Sequence, residues 1–126
     1  EREQRRIARR KRKELANNIA QQRQVQFLRK LKRMGFPKPT PEVKFDRTRR
    51  WKFDYAWKKW KVALEVEGRG RHQSITGFKN DCYKYNRAAG LGWIVIRATY
   101  AMLADDQLAI DLLDVLTQRG MKKDGK

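Results

Sequence analysis

Cysteine is almost missing from this chain: Cys82 is the only one among 126 residues. A lone thiol excludes an internal disulfide and makes a structural zinc site implausible. Histidine is equally scarce, so any imidazole chemistry rests on His72. No apolar run approaches the length of a membrane-spanning helix, and no signal peptide is visible. The expectation is a soluble, cytoplasmic protein, nucleoid-associated if its source is bacterial or phage. The first residue is Glu1 and not Met, which reads as a fragment or as a chain without a disordered leader. Acids are few as well, 14 Asp and Glu against 32 Lys and Arg, for a net charge of +18. So basic a chain expects a polyanion; nucleic acid is the commonest kind and a membrane surface the rival. The length allows one domain with one core, and there is neither an internal repeat nor a long low-complexity segment.

Against that scarcity, three of the acids are concentrated in the stretch from Arg50 to Glu67, which reads as two strands joined by a tight basic turn at Lys58 to Lys61. Strand side chains alternate faces, so Glu65 and Glu67 point one way and Leu64 and Val66 the other. Antiparallel pairing across the turn brings Asp54 within reach of Glu65, and three acids then converge at one end of a sheet. Ordinary surface pairing with nearby Lys and Arg is one explanation. Because the acids interrupt the mainly apolar run Val62 to Glu67, where a charge needs a partner, a divalent cation is the preferred one.

Residues 1 to 33 hold 13 Lys and Arg and only three acids. The first part, 1 to 23, reads as a basic N-terminal helical arm, frayed or held by a partner because its cations repel one another. Phe27, Leu31 and Met34 then follow helical spacing, as of a helix docked on a core, until Gly35 stops it and Pro37, Pro39 and Pro41 form a stiff connector. Residues 24 to 126 read as a single domain. A short edge strand is expected at Val43 to Phe45. After the two strands already described, Gly68 and Gly70 open a basic loop, and a helix begins near Thr76 or Gly77. Its apolar stripe is Phe78, Cys82, Tyr85 and Ala89, with Cys82 read as core. Trp93 to Ile96 reads as a continuous buried strand leading to Arg97. A last helix, about Asp106 to Arg119, carries Leu108, Leu112, Val115 and Leu116 on one face, with Gly120 as its stop. A strand, crossover helix and strand place 93 to 97 parallel to 62 to 67 in an otherwise antiparallel sheet.

Phe53-Asp54, then Leu64-Glu65-Val66-Glu67-Gly68, His72, Asp81-Cys82-Tyr83-Lys84-Tyr85-Asn86 and Gly92-Trp93-Ile94-Val95-Ile96-Arg97 form an ordered set of motifs. In order and spacing this set resembles the PD-(D/E)XK nuclease superfamily, and within it the small very-short-patch-repair-like branch, over about residues 42 to 103. The resemblance implies an α/β fold with a restriction-endonuclease-like αβββαβ core, a mixed sheet flanked by helices, and Mg²⁺-dependent hydrolysis of DNA. The chain departs from the family twice. Glu67 stands where most members have Lys, as in some restriction endonucleases, and the cysteines that hold zinc in the mismatch-repair members are absent, which disfavours mismatch-specific repair.

Phosphodiester hydrolysis needs a positioned water, a metal on the phosphate and stabilisation of the leaving oxygen. In that light Asp54 and Glu65 are the expected Mg²⁺ ligands, with Mn²⁺ as a substitute and the Val66 carbonyl as a third donor. Glu67 orients water or holds a second metal. His72 acts as base or as phosphate contact. Lys84, with Lys79 behind it, supplies the positive charge that Glu67 displaces; surface pairing of Lys84 with Asp81 is the plainer alternative. Trp60 at the strand turn, with Lys58 and Lys59, is expected to stack on bases and hold phosphates, or, like Trp57, to pack under the first helix. Arg9, Arg10, Arg12, Arg49, Arg50, Arg69, Arg71 and Lys79 are expected on the DNA backbone. The expected activity is endonucleolytic and selective for branched, junction or flap DNA, as in repair or recombination, with a homodimeric resolvase as its sharpest form. The alternative is a non-catalytic nucleic-acid-binding module on a degenerate nuclease fold.

Overall fold

A computed structural model describes residues 1–67 and 74–126. In chain order its elements are α1 (Arg2–Arg33), β1 (Thr40–Lys44), β2 (Lys52–Trp57), a 3-10 turn (Lys58–Trp60), β3 (Val62–Glu67), α2 (Ile75–Gly90), β4 (Ile94–Thr99), a second 3-10 turn (Ala101–Ala104) and α3 (Asp106–Gln118). The four strands form one mixed sheet in the order β1-β2-β3-β4. The β1–β2 and β2–β3 pairs are antiparallel and β3–β4 is parallel, in the register Val62 to Ile94 and Glu65 to Arg97, as the crossover argument requires. The chain is thus an α/β protein. No described helix is long and apolar enough to cross a membrane.

The alternation along β3 divides the core into two layers. Val62, Leu64 and Val66 pack with Phe27 and Leu31 of α1 and with Leu108, Leu112 and Leu116 of α3. Ala63 lies on the other face with Phe53, Ala56 and Ala88 of α2. Two side-chain bonds fix the α1 side: Tyr55 Oη donates to Gln24 Oε1 at 2.7 Å, and Trp57 Nε1 donates to the Pro37 carbonyl at 2.7 Å. Lys30 pairs with Asp106, joining α1 to the first turn of α3, where a carboxylate also complements the helix dipole.

Several expectations change. The arm at 1–23 is helical as expected, but it is neither frayed nor separate from the docked segment: α1 is one unbroken helix from Arg2, with Glu1–Arg5 and Glu3–Arg6 pairs at its start. Arg, Lys, Gln, Ala and Glu are good helix formers, and those pairs offset part of the repulsion. Gly35 stops the helix as expected. Its φ of 89° lets Phe36 N–H donate back to the Leu31 carbonyl and Gly35 N–H to that of Lys32. β1 begins three residues earlier than expected, and Pro41 is accommodated because β1 is an edge strand. β4 is half-buried instead of buried, because it too is an edge and pairs only with β3.

The largest correction concerns α2. Its inward side is Asp81, Lys84, Tyr85 and Ala88, whereas Phe78, Cys82 and Ala89 are exposed. Cys82 is therefore not a core residue. Of the expected stripe only Tyr85 faces inward; following apolar residues alone turned the helix the wrong way because its true inward side carries Lys84, whose charge is met by Glu65 of β3.

Candidate functional site

Asp54 lies on β2 and Glu65 on β3, one step beyond the last paired positions of that ladder, Tyr55 and Leu64. There the backbone ladder gives way to side chains. Asp54 N–H donates to Glu65 Oε1 at 2.9 Å, and Val66 N–H donates to Asp54 Oδ2 at 2.8 Å. Each carboxylate thus occupies the hydrogen-bonding position that a strand carbonyl would otherwise fill, and the two strands separate around the acid pair. The neighbouring chain is irregular in the same place. Phe53 and Ala56 share one face although strict alternation would part them, and Glu42, on the β1 register position facing Asp54, has φ of 52°.

Glu65 is 2% exposed, and α2 supplies its partners. Lys84 Nζ donates to Glu65 Oε2 at 3.0 Å, and Tyr85 Oη makes a longer bond of 3.4 Å to the same oxygen. Lys84 is 9% exposed, and its ammonium also lies 6.0 Å from the Phe53 ring centre and 5.6 Å from that of Tyr85. Burial pushes the Glu65 carboxyl above its ordinary value; the Lys84 ammonium pulls it back, and the charge of Asp54 pushes it up again. The Tyr85 hydroxyl is driven up by burial and by Glu65, so it stays a donor. Lys84 therefore pairs with Glu65 of the sheet, and the surface pairing with Asp81 is set aside. Lys79 does not share this site: it is exposed on α2, with its amine 6.0 Å from the Tyr83 ring centre.

Glu67 shares the face of Glu65 but is drawn to a different partner. Arg97 of β4 donates to Glu67 Oε1 through Nε at 2.9 Å and also through Nη2, while its guanidinium lies 4.5 Å from the Tyr85 ring centre. The expected convergence of three acids is thus reduced to a pair, Asp54 and Glu65, because an arginine within β4 competes for the third. Among the described residues no group of three or more His, Cys, Asp and Glu is arranged to hold an ion. Two adjacent carboxylates still suit Mg²⁺, which keeps several waters and is held by one or two carboxylates together with substrate phosphate.

His72, Arg69 and Arg71 lie outside the described residues. Arg9, Arg10 and Arg12 are exposed on the first half of α1, and Arg49 and Arg50 are exposed in the β1–β2 connection. Lys58 and Lys59 are exposed on the 3-10 turn, roughly 13 Å along β2 from Asp54. Trp60 is corrected: at 9% exposure it packs with Phe27 and Leu31, so its ring is not a surface for bases, and Lys59 lies over it at 5.2 Å.

A second polar cluster, absent from the sequence expectations, is centred on Asp46. Asp46 is 5% exposed; its Oδ1 accepts from Thr48 N–H and Oγ1, and its Oδ2 accepts from Arg87 Nε at 3.0 Å. The Thr48 backbone N–H is the chief reason its carboxyl sits below the ordinary range, with Arg87 adding to it. Asp46-Arg47-Thr48 is the sequence signature of such a turn, and it was the available signal. Compared with family models, curated proteins and solved structures, the chain matches none.

Proposed function

We propose that this chain is a Mg²⁺-dependent endodeoxyribonuclease with a restriction-endonuclease-like αβββαβ core, selecting DNA by structure and not by sequence. The observation that supports it most is the meeting of Asp54, Glu65 and Lys84. Two carboxylates from adjacent strands lie where the ladder opens, and a buried lysine from the crossover helix reaches one of them. Held by Asp54 and Glu65, Mg²⁺, or Mn²⁺ in its place, supplies phosphate polarisation and a more acidic water. Lys84 does two things in this reading. It favours the ionised form of Glu65 against burial and orients it, and it sets a fixed positive charge where negative charge develops on a phosphate. Arg97 restrains Glu67, which leaves Glu67 a secondary part in orienting water.

Affinity comes from elsewhere. The exposed arginines of α1 and the β1–β2 connection contact backbone phosphate, which carries no base information, so branched, junction or flap DNA is the expected substrate. A second reading has its own supporting observation. Both Glu65 oxygens have protein donors and Glu67 is paired with Arg97, so the same residues suit a purely structural network in a nucleic-acid-binding module. Incubating the protein with supercoiled plasmid and with four-way-junction DNA, in Mg²⁺ or in EDTA, separates the two. Cuts that require Mg²⁺ support the nuclease; tight binding with no cut supports the module.

A further inference from the structure

Three aromatic rings form a column that leads from the core to the surface. Phe53, fully buried, stacks on Phe45 with centroids 4.0 Å apart and planes 7° from parallel, and Phe45 in turn stacks on Trp51 at 6.4 Å and 14°. The inner end of the column lies under the Lys84 ammonium. Its outer end, Trp51, lines a cleft of about 470 Å³ between the β1–β2 connection and α2, together with Arg49, Tyr83, Arg87, Asp46 and Thr48.

The lining combines two functional types. Trp51 is half-buried and Tyr83 is 56% exposed, so both offer ring surface. Arg49 is exposed, and its guanidinium already lies 5.2 Å from the Trp51 ring centre, a planar cation on the face where another flat group would stack. Arg87 pairs with Asp46 through Nε while its side chain remains 53% exposed, so the outer part of its fork is open to solvent. Asp46 itself is buried and satisfied by Thr48 and Arg87; it fixes the arginine and does not face the cleft as a bare anion.

We propose that this cleft receives one unpaired nucleotide, its base stacking on Trp51 and Tyr83 and its phosphates meeting Arg49 and Arg87. A base inside an intact duplex has no free face, so the cleft favours DNA in which a nucleotide is already unstacked. The inference rests on the DNA-binding part of the function proposed above and gives it a means of recognising structure. It also replaces Trp60, whose ring is in the core, with Trp51 as the base-stacking tryptophan.

The test uses two DNA duplexes in EDTA, identical except that one carries a single unpaired 2-aminopurine, whose fluorescence is quenched on stacking. The wild-type protein binds the bulged duplex more tightly and quenches it. Tyr83→Ala and Trp51→Ala each reduce that preference at least about fivefold while leaving affinity for the paired duplex unchanged. Arg49→Gln weakens the bulged duplex more than the paired one and lowers the salt slope of bulge binding by about one; an equal loss on both duplexes counts against a phosphate contact in the cleft. Should Trp51→Ala fail to fold, Tyr83→Ala at an exposed position carries the test alone. Equal binding of both duplexes by the wild type, or a bulge preference retained in Tyr83→Ala, overturns the proposal. Since no cleavage is involved, a protein that never cuts DNA ends the nuclease reading without touching this one, and a protein that cuts but keeps its preference in Tyr83→Ala ends only this one.

Discussion

Asp54 and Glu65 are linked by crossed hydrogen bonds: the backbone N–H of Asp54 donates to the Glu65 carboxylate, and the N–H after Glu65 donates to the Asp54 carboxylate. The acid pair is therefore part of the sheet's hydrogen bonding as well as a charged site, and substitutions separate the two contributions. Asp54→Asn keeps an oxygen for Val66 N–H and should fold, with its melting temperature within a few degrees of wild type. Asp54→Ala leaves that N–H unsatisfied and should cost about 1–3 kcal/mol in urea unfolding. Equal stability of the two variants would contradict the crossed arrangement.

Lys84→Met leaves Glu65 as a buried carboxylate without its ammonium, and should cost about 3–5 kcal/mol at pH 7. Burial already raises the Glu65 carboxyl above its ordinary 4.5. A raised value means that the folded state binds the proton more tightly. Its contribution to stability is therefore fully present below pH 4.5 and is lost as pH rises through the folded-state value. Removing Lys84 raises that value further, so the variant's deficit should shrink as pH falls toward 4. Unfolding curves at pH 4 and pH 7 decide it; a deficit independent of pH would show that Lys84 does not act through the Glu65 charge.

Glu67 and Arg97 are more exposed, with side chains 20% and 45% accessible. Glu67→Gln should change stability by less than about 1 kcal/mol, as surface pairs do. Its nicking rate should fall far less than that of Asp54→Asn. An equal loss would put Glu67 on the metal after all.

The order of elements was legible because each carries its own periodicity or stop: Leu108, Leu112 and Leu116 at helical spacing, glycines after each helix, and alternation along Val62 to Glu67. The Asp54–Glu65 approach was legible too, since hairpin register follows from the position of the turn. Contacts that depend on which of several charges pair were not. Nothing in the spacing of Glu65 and Glu67 says that Arg97 from a parallel strand draws one of them away, or that Lys84 turns inward beside Tyr85 while Phe78 and Cys82 face out. Trp60 was misplaced for a related reason, because a tryptophan between lysines reads alike whether its ring is over the core or over solvent.

That last distinction can be measured. Trp60→Ala removes a core ring and should cost about 3–5 kcal/mol, with DNA affinity in the folded variant unchanged. A loss of affinity without a loss of stability would restore Trp60 to the DNA surface.

Removing residues 1–20 takes away eight cations from the exposed half of α1 and none of its buried residues, Phe27 and Leu31. The melting temperature should hold. DNA affinity should fall, and the slope of log K against log salt should flatten by about 0.9 for each cation that had been on a phosphate. An unchanged slope would mean that this half of the helix lies off the DNA.

The nuclease account is tested most directly by the single-turnover nicking rate of the wild type and of Asp54→Asn, on the same branched DNA, in Mg²⁺, at protein concentrations that saturate binding. It predicts cutting by the wild type, none by Asp54→Asn, and binding by the variant as tight as wild type or tighter, since one negative charge near the phosphate is gone. Wild-type cutting by Asp54→Asn, or no Mg²⁺-dependent cutting by the wild type itself, would contradict it.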